Sequence, residues 1–233
     1  MSCRNLILVL GDQLDHDAAW LEACDPQHDL VLMIEARSES QRVWSHKART
    51  TLFLSAMRHY AAWLEHQGHR VDYVHIDRPE AASFNNALRA AIERNRPRRL
   101  RMIEAGEHGV QKEIDQACEV AGVAVERHSD THFLCSREEF AAWRETRKTL
   151  VMEHFYRHMR KRHDILMQDG KPTGGKWNFD QKNRRSFGRI GPGMIPPAPQ
   201  FTPDAVTTAV IEDVERHFPD NPGRVEHLSL IHI

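Results

Sequence analysis

The sequence predicts an α/β fold, a doubly wound five-stranded parallel sheet, followed by helices and a long linker. Three observations carry that expectation. Short apolar runs that do not alternate with polar residues, such as Leu6–Leu10, take turns along the chain with stretches of helical periodicity. The links between them are short, as right-handed β–α–β crossovers require. Three of the runs also stop at a polar group: Leu10 before Gly11-Asp12, Ile34 before Glu35, and Ile103 before Glu104.

The first strand is Leu6–Leu10, apolar throughout and therefore suited to burial on both faces. A short helical segment follows at Asp17–Ala23, and Asp29–Glu35 is the second strand. Ala36–Arg42, rich in Ser and charge, reads as a loop. Lys47–Gln67 is a long helix whose apolar stripe is Phe53, Leu54, Met57, Ala61 and Leu64, with Gly68 as its C-cap. Arg70–Ile76 is the third strand, and Ala82–Asn95 is a helix stopped before Pro97. Arg99–Glu104 is the fourth strand, Val110–Ala121 a helix ended by Gly122, and Val123–Arg127 the fifth strand.

After His128 the pattern changes. Arg137–Arg147 and Leu150–Met167 read as helices, and Gln168–Pro203, rich in Gly, Pro and basic residues, as a crossing linker. A last helix, Thr202–His217, takes Thr202 as its cap and Pro203 at its first position, with Val206, Val210, Ile211 and Val214 inward. The apolar faces of the Thr202 and Leu150 helices are expected to be covered by a further domain.

Composition narrows the function classes. A chain of 233 residues with 40% hydrophobic and 28% charged residues has the makings of a soluble globular protein. The formal net charge of -1 argues for no nucleic-acid partner by itself, but basic residues dominate Arg137–Arg189. No stretch approaches the roughly 20 apolar residues of a membrane span, and no cleavage site follows the first apolar run. The four cysteines, Cys3, Cys24, Cys118 and Cys135, form no CxxC pair, so a cytoplasmic setting is expected.

In a parallel sheet the three polar strand ends share one edge, the edge where ligands bind in open α/β folds. Gly11, Asp12, Glu35, Glu39, Gly106 and Glu107 are expected to surround one crevice there. Carboxylates on its rim would accept hydrogen bonds from hydroxyls or ring N–H groups and repel phosphate, favouring a neutral polyol or heterocycle over a dinucleotide. Gly11-Asp12-Gln13 alone is also compatible with a plain turn. Other motifs are decoys. Gly170–Lys176 has GxxxxGK spacing, but Trp177 stands where Ser or Thr must meet magnesium, and the loop follows a helix. His154 and His158 are four apart but lie among Arg157, Arg160, Lys161 and Arg162, where a cation is disfavoured. That basic face either tracks phosphates or pairs with Glu138, Glu139 and Glu145. Lys182, Arg184, Arg185 and Arg189 are the better DNA-contact candidates, having no acidic neighbour after Asp180. Neither a serine nucleophile elbow nor GxGxxG is present; no catalytic residue and no metal site is assigned.

Five segments together carry a family resemblance: LVLGDQL at the first strand, SAMRHYAAWL at Ser55–Leu64, EAGE at Glu104–Glu107, RKTLVMEHFYRHMRKR at Arg147–Arg162, and GGKWNFDQKNRR at Gly174–Arg185. The chain, from Leu6 to about Gly223, resembles the N-terminal part of the photolyase-related proteins, the iron–sulfur bacterial cryptochromes and (6-4) photolyases. The resemblance implies a Rossmann-like antenna domain that binds 6,7-dimethyl-8-ribityllumazine. It maps that cofactor site onto Gly11, Asp12, Gln13, Ile34, Glu35, Glu39, Phe53 and Glu107, with Ile34 where some members carry a cysteine. It also implies domains at 1–135 (antenna), 136–201 (helical connector and linker) and 202–233 (start of a helical FAD domain), most of which this chain lacks. FAD and a four-cysteine 4Fe–4S cluster belong to that missing C-terminal domain, and DNA is the partner of the full-length protein, which repairs pyrimidine photoproducts by light-driven electron transfer. The fragment alone is expected to be inactive in repair. Leu228–Ile233 departs from the family pattern and is expected to be foreign to it. The alternatives are a stand-alone flavodoxin-like ligand-binding module and a blue-light signalling cryptochrome.

Overall fold

The computed structural model describes residues 3–180, 188–191, 193–196 and 202–225. Lys182, Arg184, Arg185 and Leu228–Ile233 lie outside them. The chain divides into two compact units, Met1–Asp130 with Ala198–Ile233, and Thr131–Pro197.

The first unit is built on strands β1 (Asn5–Leu8), β2 (Leu30–Ile34), β3 (Val71–Val74), β4 (Arg99–Ile103) and β5 (Ala124–His128). They form one sheet in the order β3-β2-β1-β4-β5, every neighbour parallel. Leu6 of β1 stands between Leu30 and Leu100, so the first strand is central and buried on both faces. Its side chains explain the unbroken apolar run. Leu6 and Leu8 pack with Leu32, Leu100 and Met102 on one face, while Ile7 and Val9 join Val31 and Met33 on the other.

Helices cover both faces. In the Leu6 layer are Leu88 and Ile92 of α4 (Phe84–Asn95) and Ile114 of α5 (His108–Ala121). In the Ile7 layer are Trp20 of α1 (Ala19–Glu22) and Leu54, Met57 and Leu64 of α3 (Lys47–His66). Strand order reverses at β1, with β2 and β3 to one side and β4 and β5 to the other, which opens a crevice at the strands' carboxyl ends.

Several expectations are corrected. Ala36–Arg42 is no loop: Arg37–Arg42 forms α2. It buries no residue, so no apolar period marks it. It is held by polar contacts instead: Arg37 donates to the carbonyls of Ile76, Arg78 and Pro79, and Asn221 Nδ2 to that of Ser40 at 3.1 Å. Phe53, placed in the α3 core stripe by its spacing, is 37% exposed. The segment before α4 splits, with a 3-10 turn at Pro79–Ala82 and a fresh start capped by Ser83.

The last helix, α8 (Ala205–His217), is shorter than expected, because the carboxylate of Asp204, not Thr202, accepts from the Thr207 amide at 2.8 Å. Its apolar face does not await a further domain. Val210, Val214 and Phe218 are buried in the same cluster as Leu54, Met57 and Leu64 of α3.

The second unit holds α6 (Arg137–Glu145), opened by a capping box between Ser136 and Glu139, and α7 (Met152–His163). Phe140, Trp143 and Phe155 pack edge-on and stacked between them. α7 ends at His163, short of the expected Met167, and Met167 with the start of the stretch read as a linker forms a two-stranded antiparallel hairpin, β6 (Met167–Gln168) and β7 (Lys171–Pro172). The GKPTGGK segment is this hairpin's turn and strand plus a 3-10 turn at Thr173–Gly175. No helix of the described residues is long and apolar enough to cross a membrane.

Candidate functional site

The crevice at the ends of β1, β2 and β4 encloses a cavity of about 390 Å³. Gly11, Asp12, Ile34, Glu35, Glu39, Phe53 and Glu107 all line it, as does Gly106. Gln13 does not. Its side chain is buried and braces the sheet edge, donating from Nε2 to the Glu104 carbonyl at 3.0 Å and to the Ile103 carbonyl at 3.4 Å.

Each element supplies its share for a local reason. The turn after β1 brings Gly11 against α3, where a Cβ would stand 2.9 Å from Met57 Sδ and 3.8 Å from Phe53 Cδ1. Glycine is needed there for close approach. Glu35 ends β2 and is fully buried, yet every one of its oxygen contacts is internal. Arg58 donates from Nε at 2.7 Å and from a terminal nitrogen at 3.0 Å, Tyr73 from its hydroxyl at 2.6 Å, and the Ile76 amide at 2.8 Å. Burial and the Glu35 charge push the Tyr73 phenol well above its ordinary range, so it stays a donor. Glu35 is thus a structural part of the cavity wall.

The rim is charged. Arg42, at the end of α2, donates to Glu107 Oε1 at 2.5 Å and lies 3.8 Å from Glu113. Asp12 lies beside Gly106, its Oδ2 3.4 Å from where a Cβ would stand. Glu39 is exposed at the mouth of the crevice, but desolvation by the surrounding walls, and then the charges of Asp12, Glu107 and Glu113, raise its carboxyl above its ordinary value of 4.5. The floor is apolar, with Val9, Leu10, Ile34, Met57 and Phe84, and Arg49 sits 5.5 Å from the Phe53 ring centre. No Cys, His or Lys is among the lining residues; its polar lining is carboxylates, hydroxyls and the guanidiniums of Arg42 and Arg49. Its size falls at the lower end of the ~300–1,000 Å³ typical of small-molecule sites.

Sequence reasoning missed Arg42, Arg49, Ser38, Ser40, Thr50, Met57, Phe84 and Glu113, all of which line the cavity. Most sit on α2 and α3, and a signal existed only for Met57, which the helical period assigned to the core.

The second unit carries the other candidates. Arg189 is exposed, in a 3-10 turn at Gly188–Ile190. The α7 face is partly paired: Arg157 with Glu153 at 2.9 Å, and Arg162 with Glu139. Arg160 is buried and donates to the Ile165 and Leu166 carbonyls. Arg157, Arg160 and Lys161 surround Trp177 at 5.2–5.5 Å from its ring. Among the described residues the group with metal-ligand character is His75, Asp77 and Asp213 in the first unit. Arg58 and Arg216 occupy the Asp213 oxygens at 2.7 and 3.3 Å, so this is an ion-pair network.

Comparison with known proteins gives the site its context. The family model described as deoxyribodipyrimidine photo-lyase-related protein matches residues 7–230. A (6-4) photolyase of Agrobacterium fabrum is 41% identical over 226 residues, covering 96% of this chain and 44% of the relative. The chain thus spans less than half the length of that relative. An uncharacterized protein of Acanthamoeba polyphaga mimivirus is 20% identical over 192 residues, covering 79% of this chain and 95% of that one.

Proposed function

The chain belongs to the deoxyribodipyrimidine photo-lyase-related protein family, and on that premise we propose that it binds a light-harvesting antenna chromophore, 6,7-dimethyl-8-ribityllumazine, in the crevice at the end of β1. The observation that carries the reading is the cavity itself. Seven of the eight residues expected for the chromophore line one space of about 390 Å³, and the eighth, Gln13, braces its edge. The residues suit the group. Asp12, Glu39 and the Ser38 and Ser40 hydroxyls accept hydrogen bonds from a ribityl chain. Phe53, Phe84, Met57 and Ile34 offer apolar surface to a flat ring. Gly11 leaves open the space that a Cβ would take beside Met57. The chromophore, when bound, supplies absorption of near-ultraviolet and violet light. The protein supplies position and shields the ring from water.

For the whole protein we propose DNA as the partner, photorepair of pyrimidine lesions as the activity, and FAD and a 4Fe–4S cluster as cofactors held outside this chain. The described residues bring no set of cysteines together as cluster ligands, since the one group of ligand character contains none. The cluster does not fit here, and no step is assigned to it on this chain. Arg189, with Lys182, Arg184 and Arg185, is proposed to meet DNA phosphates.

The test is the absorption spectrum of the chain purified from a host that makes the lumazine. A violet band that stays with the protein through gel filtration is expected. A colourless protein contradicts the antenna reading and leaves a plain ligand-binding module.

A further inference from the structure

We propose that the crevice selects the unphosphorylated form of its ligand, with Asp12, Glu39, Glu107 and Glu113 excluding the phosphate ester. The inference rests on the ligand-binding reading of the crevice and adds to it a chemical class: a neutral, polyol-bearing heterocycle as against its monophosphate.

The charge around the cavity comes first. Five carboxylates and two guanidiniums line it. Glu35 is spent on Arg58, Tyr73 and the Ile76 amide. Arg42 is spent on Glu107 and Glu113. Asp12 and Glu39 then face the space with Arg49, whose guanidinium lies by the Phe53 ring. Desolvation by the crevice walls raises the Glu39 carboxyl first, and the charges of Asp12, Glu107 and Glu113 then add to the rise. A phosphate monoester would bring up to two further negative charges and almost no donor. A hydroxyl brings a donor and no charge, which is what the carboxylates can use.

The helix ends point the same way. In parallel α/β sheets a phosphate rests on the N-terminus of the helix that follows a strand. The turn after β1 leads to no such helix, because α1 begins only at Ala19 and spans four residues. The 14-residue α5 does start at the crevice, but a carboxylate of the protein stands beside its N-terminal end without capping it. Glu107 is the N-cap residue, and its Oε1 lies over the first turn, 3.3 Å from where a Cβ on Gly109 would stand. Arg42 is held there too, 3.7 Å from the same point. A phosphate approaching this helix end would meet the Glu107 carboxylate, which is already paired with Arg42.

The test is equilibrium binding to the purified chain of three pairs: 6,7-dimethyl-8-ribityllumazine and its 5′-phosphate, riboflavin and FMN, and adenosine and AMP. Each uncompensated carboxylate near the phosphate is worth on the order of tenfold in affinity. The free lumazine is expected to bind at least about tenfold more tightly than its ester. The double variant Glu39→Gln, Glu107→Gln is expected to narrow the gap. Because a variant can misfold, the wild-type gap is also measured against salt, where screening narrows it. An ester that binds as tightly as the free compound in any pair that binds overturns the proposal. Adenosine preferred over AMP while neither lumazine compound binds supports it and removes the antenna reading. Binding by none of the six overturns both.

Discussion

Arg58 of α3 and Asp213 of α8, 155 positions apart, are joined by a 2.7 Å hydrogen-bonded ion pair. The same guanidinium holds Glu35 at the end of β2, so one side chain ties the cavity wall to the last helix. The Glu35 and Asp213 side chains are 0% and 7% exposed, and Arg58 13%. In a triad this dry the cost of desolvating the charges offsets most of their attraction, so it adds little as built, yet removing one partner is costly. Arg58→Ala leaves Glu35 buried without a counter-ion and Asp213 with only Arg216 and His75 beside it, and is expected to destabilise the fold by about 3 kcal/mol, read by urea denaturation. An unchanged midpoint would show that α8 docks without the triad.

The α8 contacts also carry a pH signature. The Asp77 carboxyl is held below its ordinary value of 3.8, first by the hydrogen bond with His217 and then by the charges of Arg216 and His75. A carboxyl depressed in the folded state contributes stability that is present above its ordinary value and lost as pH falls through the depressed one. Carbon-detected NMR titration is expected to place Asp77 below 3.8, and His217→Ala to move it upward. A titration that His217→Ala leaves in place contradicts the pairing.

Glu39 has the opposite sign. Its raised carboxyl means that the ionised form is disfavoured in the fold, so its penalty grows as pH rises past 4.5. Glu39→Gln is expected to raise Tm at pH 7 and to leave it unchanged at pH below the ordinary value. Thermal melts at the two pH values check this, and a lower Tm at pH 7 contradicts it.

Which parts of this were legible in the sequence follows from what local patterns encode. The five strands and the crevice edge were readable because Leu6–Leu10 is apolar without alternation and because Gly11-Asp12, Glu35 and Glu104 end three strands. The partners of those groups were not. Nothing local says that Glu35 is consumed by Arg58 and Tyr73, since both approach only when α3 and β3 pack. Phe53 sits beside Leu54 on the same helix, and a 3.6-residue period cannot tell the core from the edge of a cavity. α2 escaped notice because Arg37–Arg42 has no apolar period and is held by polar contacts from Arg37 and Asn221. Asp204 took the cap from Thr202, since both are good capping residues and only the backbone path decides.

The cavity depends on Gly11. A methyl there meets Met57 Sδ at 2.9 Å, a contact that the flexible thioether absorbs in part. Gly11→Ala is expected to cost about 1 kcal/mol and to weaken ligand binding, and Gly11→Val to block it. Denaturation midpoints and binding curves measured on the same preparations separate the two effects.

The most direct measurement of the central claim is a fluorescence titration of the purified chain with 6,7-dimethyl-8-ribityllumazine, run beside Gly11→Val. Saturable binding at one site per chain is expected for the wild type and none for the folded variant. No saturation by the wild type, or equal binding by Gly11→Val, would contradict it.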